Sequence, residues 1–268
     1  MLITPQYPVS PGTMARNAST AEHPFALDGL VRAYVAGIAP SGHGLSPSKE
    51  NASLVGSPAV SAQEWTLASA SVQYLSVPPP VIGTGDFTLA VWMRSTGDGE
   101  DHAVKLGDTV LNQAVGIYRN GATSLRCGFH AGTEIILDTV ITSGWRFVVL
   151  TGGGGNLISA YIDGQVVEED TATTYDLASA YCYLGSSQLA YAAGLWDGGL
   201  DCLLIYDRRF SRSEQANLYD ITRNDRTAWA RRKPIHIPYA PAPAVGGGGI
   251  RNPRGGPMSL RNPLGRAS

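Results

Sequence analysis

The chain has 268 residues, 43% of them hydrophobic, and its 20 basic and 22 acidic side chains leave a formal charge of −2. That length and apolar content can bury a substantial core, and they exclude a bilayer-spanning helix, because no apolar run is long enough. The start, Met-Leu-Ile-Thr-Pro-Gln-Tyr-Pro, lacks the basic and apolar regions of a secretory signal. Asn17-Ala-Ser19 and Asn51-Ala-Ser53 therefore read as chance matches to a glycosylation pattern.

In chain order, residues 1–24 carry Pro5, Pro8, Pro11 and Pro24 and predict an extended arm. From Phe87 onward the pattern is one of short strands: Phe87–Arg94, Ala114–Tyr118, Leu125–His130, Glu134–Val140, Trp145–Thr151, Asn156–Ile162 and Leu200–Asp207. Turn signals separate them, at Asn120-Gly121, Ser143-Gly144, Gly152–Asn156, Asp163-Gly164 and Gly198-Gly199. Short strands punctuated this regularly predict an all-β, two-sheet antiparallel sandwich. Thirty-two glycines and 17 prolines fit that many turns. Leu125, Cys127 and Phe129 alternate with Arg126, Gly128 and His130, giving one buried and one wet face. Leu200–Asp207 is apolar on both faces, as in a strand covered on both sides. Asp163-Gly164 predicts a two-residue hairpin. Ser211-Arg-Ser-Glu214 is a capping box, which predicts a helix from Glu214 to about Ile221. Trp92 and Trp145 are expected to be at least half buried.

The charge is unevenly spread. Eight of the 20 basic residues follow Asp225 with no acid among them, so residues 1–225 hold 12 bases against 22 acids, a formal −10. The basic end also contains Gly246–Gly249 and two related segments, Ile250-Arg-Asn-Pro-Arg-Gly255 and Leu260-Arg-Asn-Pro-Leu-Gly265. We expect three parts: an arm over 1–24, a sandwich over 25–222, and a basic arm over 223–268. Arg231, Arg232, Lys233, Arg251, Asn252, Arg254, Arg261 and Asn262 are its candidate partner-binding residues, because arginine pairs bidentately with carboxylates. Few aromatics interleave with these cations, which argues against stacking on nucleic acid. Ile235, Ile237 and Tyr239 could alternatively form one last strand.

Catalytic patterns are weak. A retaining glucanase needs two carboxylates roughly 5 Å apart. Glu134 and Asp138, four apart on a predicted strand, would lie roughly 13 Å apart. No nucleophile elbow occurs, and Gly152–Gly155 lacks the Lys-Ser/Thr of a phosphate loop. The expectation is a non-enzyme without cofactor or metal. Asp98-Gly-Glu-Asp-His102 is a solvated, charged turn or else a calcium-binding one. Cys127, Cys182 and Cys202 read as buried thiols and imply synthesis in a reducing compartment. Tyr191 and Trp196 are weak candidates for stacking on a sugar, or they cap the core.

Four segments resemble one known family. Phe87-Thr-Leu-Ala-Val-Trp92, Gly144-Trp145…Thr151, Tyr161-Ile-Asp-Gly-Gln-Val166 and Gly199…Asp207 with Phe210-Ser211 and Leu218-Tyr219 are similar, in order, to the strands of laminin-G-like, concanavalin-A-like jelly rolls. Gly29…Tyr34 fits that family's opening strand, so the resemblance covers roughly residues 25–220. It implies a jelly roll of a kind that mostly binds, coats or connects and that also hosts β-glucanases, whose paired glutamates are missing here. With Arg231-Arg-Lys-Pro-Ile-His-Ile-Pro238, the chain also resembles virion proteins of tailed bacteriophages. That implies a structural virion component docking on other virion proteins and on copies of itself, or a particle-borne, lectin-like module for a host glycan.

Overall fold

The computed structural model describes residues 24–36, 50–61, 64–108, 110, 112–121, 124–130, 132–137, 144–153, 157–171, 174–178, 180–187 and 194–225. In chain order the strands are β1 (Leu30–Tyr34), β2 (Ser53–Val55), β3 (Ala59–Val60), β4 (Trp65–Leu67), β5 (Tyr74–Ser76), β6 (Phe87–Ser95), β7 (Glu100–Gly107), β8 (Ala114–Asn120), β9 (Ser124–Phe129), β10 (Glu134–Leu137), β11 (Arg146–Gly153), β12 (Leu157–Ile162), β13 (Gln165–Thr171), β14 (Cys182–Leu184) and β15 (Gly198–Tyr206). Helix α1 (Arg212–Thr222) follows.

The strands form two antiparallel sheets. One runs β13-β12-β11-β6-β15-β4-β3 with β1 also on β15, and the other runs β10-β9-β8-β7-β14-β5-β2. The main core lies between them, with Phe87, Leu89, Val91, Leu150 and Ile205 of the first sheet meeting Leu106, Ile117, Cys127, Phe129 and Leu184 of the second. Cys127, Cys182 and Cys202 are buried and form no disulfide, as their apolar surroundings predict.

The first sheet's outer face is also closed. Ala90, Trp92, Phe147, Val149, Leu204 and Tyr206 point away from the main core into a second apolar cluster. Leu218 and Phe210 cover that cluster from the helix side. The helix begins where the capping box places it: Ser211 accepts from the Glu214 N–H, and the Glu214 carboxylate accepts from the Ser211 N–H. Trp92 donates from Nε1 to Thr222 Oγ1 at 3.1 Å and stacks on Tyr219. Trp92 is buried and Trp145 partly buried, in line with expectation.

Asp163 and Gly164 both have positive φ in the β12–β13 turn, as a two-residue turn of this hand requires. A Cβ on Gly164 would lie 3.0 Å from the Tyr219 ring, so this glycine lets the helix rest on the hairpin.

Four expectations change. The Asp98–His102 segment is a solvated turn only in part: Asp98, Gly99 and Glu100 are exposed, but Glu100–His102 opens strand β7 and Asp101 is buried against Arg119. Gly152 and Gly153 belong to β11 rather than to a loop. Gly198 and Gly199, expected as a turn, open strand β15. Of the strand expected over Glu134–Val140, Glu134–Leu137 forms β10 and residues 138–140 lie outside the described residues. Residues 1–23 and 226–268, with both arms and the Ile235–Tyr239 segment, lie outside the described residues.

Candidate functional site

With the central strands of the first sheet covered on both faces, the outer face of the seven-stranded sheet is where polar side chains gather. Across its strands Ser76, Tyr183, Lys105, Gly116, Gly128 and Glu134 stand in one register row. The next row holds His102, Tyr118, Arg126 and Ile136. Both glycines of the first row leave the backbone bare. A Cβ on Gly128 would lie 2.4 Å from the Thr133 carbonyl oxygen, and one on Gly116 would lie 3.1 Å from that of Val104. The result is a cavity of about 350 Å³ with Lys105 at one end and Glu134 at the other. That volume suits a small polar ligand.

A bulge places the two key side chains of β7 together. The register shifts between His102 and Val104, so Ala103 and Val104 both face the core. His102 and Lys105, three apart, therefore both face the cavity.

The cavity's electrostatics differ at its two ends. At one end Glu134 accepts from the Tyr118 hydroxyl and pairs with Arg126 at 2.9 Å. Burial, then the bond to Glu134, pushes the Tyr118 hydroxyl above its ordinary range. At the other end Lys105 is only 6% exposed and, among the described residues, has no hydrogen bond or ion pair. Burial lowers its pKa, and the Asp108 carboxylate opposes this only in part. His102 stacks on Tyr118, ring centroids 4.8 Å apart. Its pKa falls to about 3, from burial first and then from the charges of Lys105 and His130. Its Nδ1 is enclosed and unpartnered among the described residues. Beyond Lys105, Tyr181 stacks on Tyr183 and is 38% exposed, an aromatic face open to solvent.

The sequence-predicted sites fare differently. Trp196 has no exposed surface and sits in the main core, so it offers no face to a sugar; here the core-capping alternative holds. Tyr191 and Asp138 lie outside the described residues, as do Arg231, Arg232, Lys233, Arg251, Asn252, Arg254, Arg261 and Asn262. Asp101 is held by Arg119, and among the described residues no three His, Cys, Asp or Glu side chains are grouped to hold a metal. Lys105, His102, Tyr118, Arg126 and Tyr181 escaped sequence reasoning. Tyr181-Cys182-Tyr183 did carry a signal, since a buried cysteine turns both neighbours outward.

The concanavalin A-like lectin/glucanases superfamily, in its laminin G form, matches residues 69–214, more than half of the chain. The chain belongs to this superfamily. The match runs from the segment before β5 into the start of α1, and so takes in the whole β7–β10 surface that forms the cavity.

No curated protein matches the sequence. Solved structures share the superfamily fold at low identity. Domain 4 of AbnA, an extracellular arabinanase of Geobacillus stearothermophilus solved with arabinotriose, has a TM-score of 0.53 at 14% identity, covering 70% of this chain and 97% of that one. Trypanosoma rangeli sialidase with sialic acid has a TM-score of 0.57 at 17% identity, covering 71% and 32%. A botulinum neurotoxin type C structure, from work on its entry through two ganglioside molecules, has a TM-score of 0.57 at 10% identity, covering 73% and 52%. This chain thus spans the arabinanase domain but only about a third of the sialidase. Among the described residues no helix is long and apolar enough to cross a membrane.

Proposed function

We propose that the protein is a non-enzymatic, glycan-binding module whose ligand lies across the outer face of the seven-stranded sheet. One observation carries this reading: a polar cavity over two bare glycines, with paired donors and acceptors fixed on its walls. Tyr118 and Glu134 line the cavity and Arg126 braces Glu134, so that together they offer donor and acceptor sites, which suits vicinal hydroxyls. The ligands named for the similar arabinanase domain, sialidase and toxin are saccharides or glycolipids, which supports the reading.

The placing of the carboxylates supports binding without hydrolysis. Glu100 and Glu134 both line the cavity, but their strands are three places apart in the sheet, roughly 14 Å at the backbone. Paired catalytic carboxyls sit at about 5–9.5 Å. The test is a glycan array with the full chain and with Arg126→Ala. The Arg126–Glu134 pair is partly exposed, so its loss costs roughly 1 kcal/mol or less of stability. The expected result is a bound glycan class whose affinity falls about tenfold in the variant, as for a charge-assisted bond. An array with no bound glycan would sink the reading.

A second reading rests on residues 226–268, where prolines, glycines and eight cations meet without an acid. We propose that this arm docks on acidic surfaces of neighbouring subunits, and that the module is thereby carried on a virion, as the resemblance to tailed-phage proteins implies. Extended prolines limit the order lost on docking, and two Arg-Asn-Pro copies on one tether gain by effective concentration.

A further inference from the structure

We infer that the ligand of the sheet-face cavity carries an anionic group, a carboxylate or a sulfate, that pairs with Lys105; this rests on the glycan-binding reading above. Lys105 is a cation with no hydrogen bond or ion pair among the described residues. Its stem is buried, the residue being 6% exposed, and it lines the cavity, with only the field of Asp108 acting in its favour. An ammonium that the fold leaves without a direct partner, at the edge of a cavity, is suited to pair with an anionic group on a ligand.

The other charges around the cavity do not meet that need. Glu134 is already engaged by Arg126 and the Tyr118 hydroxyl. Three strand spacings, roughly 14 Å, separate its backbone from that of Lys105. Glu100 is exposed and stands five residues away along β7, roughly 15 Å, beyond the screening length of about 8–10 Å at ordinary salt. Asp108 lies beyond the end of β7 and acts on Lys105 only through its field.

Next to Lys105 the floor is open. Gly116 is its cross-strand neighbour, and the enclosed Nδ1 of His102 lies 3.6 Å from where a Cβ on Gly116 would sit. A neutral imidazole can donate or accept there. An anionic group over Gly116 would thus meet an ammonium and an imidazole nitrogen together, while the rest of the sugar reaches across Gly128 towards Glu134. Polarity runs one way along the row: anion-accepting at Lys105, hydroxyl-binding at Glu134.

The experiment uses the full chain and two matched pairs of probes, sialyllactose against lactose and a sulfated chondroitin tetrasaccharide against its unsulfated form, each titrated by calorimetry. Wild type is expected to bind one charged probe at least about tenfold more tightly than its neutral or less charged partner, the scale of a charge-assisted contact. The first pair reports a carboxylate and the second a sulfate. Lys105→Met should abolish the preference, Lys105→Arg should keep it, and Lys105→Met should melt close to wild type, since Lys105 makes no hydrogen bond or ion pair among the described residues that the change would break. Equal binding within both pairs, or an unchanged preference in Lys105→Met, would overturn the inference and leave the glycan reading standing. Absence of binding to all four probes would overturn both.

Discussion

Replacing Arg119 with methionine should destabilise the protein more at neutral pH than at acid pH. Arg119 has no exposed surface. Its guanidinium donates to Ser95 Oγ at 2.7 Å, to the Gly97 carbonyl and to the Asp101 carboxylate. Removing one partner of such a buried pair typically costs about 3–5 kcal/mol, because the other charge is left unpaired. For a domain of this size that lowers Tm by roughly 6–20 °C. The carboxylate left behind is already strained: burial raises the Asp101 pKa, Arg119 pulls it back, and Asp197 and Asp98 push it up again. Without Arg119 it rises further above its unfolded value. The folded variant then holds a proton that the unfolded chain has released, so its stability recovers as pH falls through that window. Urea unfolding at pH 7.5 and 5.0 reads both effects. A loss under about 1 kcal/mol at pH 7.5, or one that is the same at both pH values, would refute the reasoning. The double variant Arg119→Met/Asp101→Leu should recover most of the loss, because two apolar groups need no pairing.

His102 makes a prediction of opposite sign. Its folded pKa of about 3 lies below the unfolded 6.5, so the stability due to the neutral imidazole is complete above pH 6.5 and is lost as pH falls towards 3. Relative to His102→Gln, wild type should lose about 1.4 kcal/mol between pH 7.5 and 5.5; equal pH profiles for the two proteins would show that the ring is not held neutral. If the arm docks as proposed, deletion of residues 245–268 should leave the melting of the sandwich unchanged while occupancy on the particle collapses; full occupancy would exclude the arm as the attachment device.

What could be read in the sequence was whatever local chemistry fixes. Asp163-Gly164 fixes its hairpin because few residue pairs accept two positive φ values, and Ser211 with Glu214 fixes the helix start through two reciprocal bonds. The apolar strands β6, β11 and β15 needed only their composition. The candidate site depends instead on pairings between distant segments. Strict alternation puts His102 and Lys105 on opposite faces; the bulge at Ala103 brings them to one, and a bulge is visible only once β8 is paired. Asp101 looked like part of a wet acidic turn because its partner, Arg119, is 18 residues away across the β7–β8 pair.

The same long-range pairings decide which face can bind. Both sheets have two faces, and a strand's own sequence does not say what will cover it. On the first sheet the outward residues are Trp92, Phe147, Leu204 and Tyr206, and such a face in water would be a liability. Phe25–Leu27 and the helix carrying Leu218 close it. On the second sheet the outward residues of β7–β10 include His102, Lys105, Tyr118, Arg126 and Glu134, which remain hydrated at little cost wherever they are paired. Four of these five have a partner in the fold: Glu134 holds both Tyr118 and Arg126, and Tyr118 carries the His102 ring. Lys105 alone among them has no direct partner in the described residues. A surface that needs no cover, built over two glycines and ending in one cation with no direct partner, is better suited to receive a ligand than to support the core.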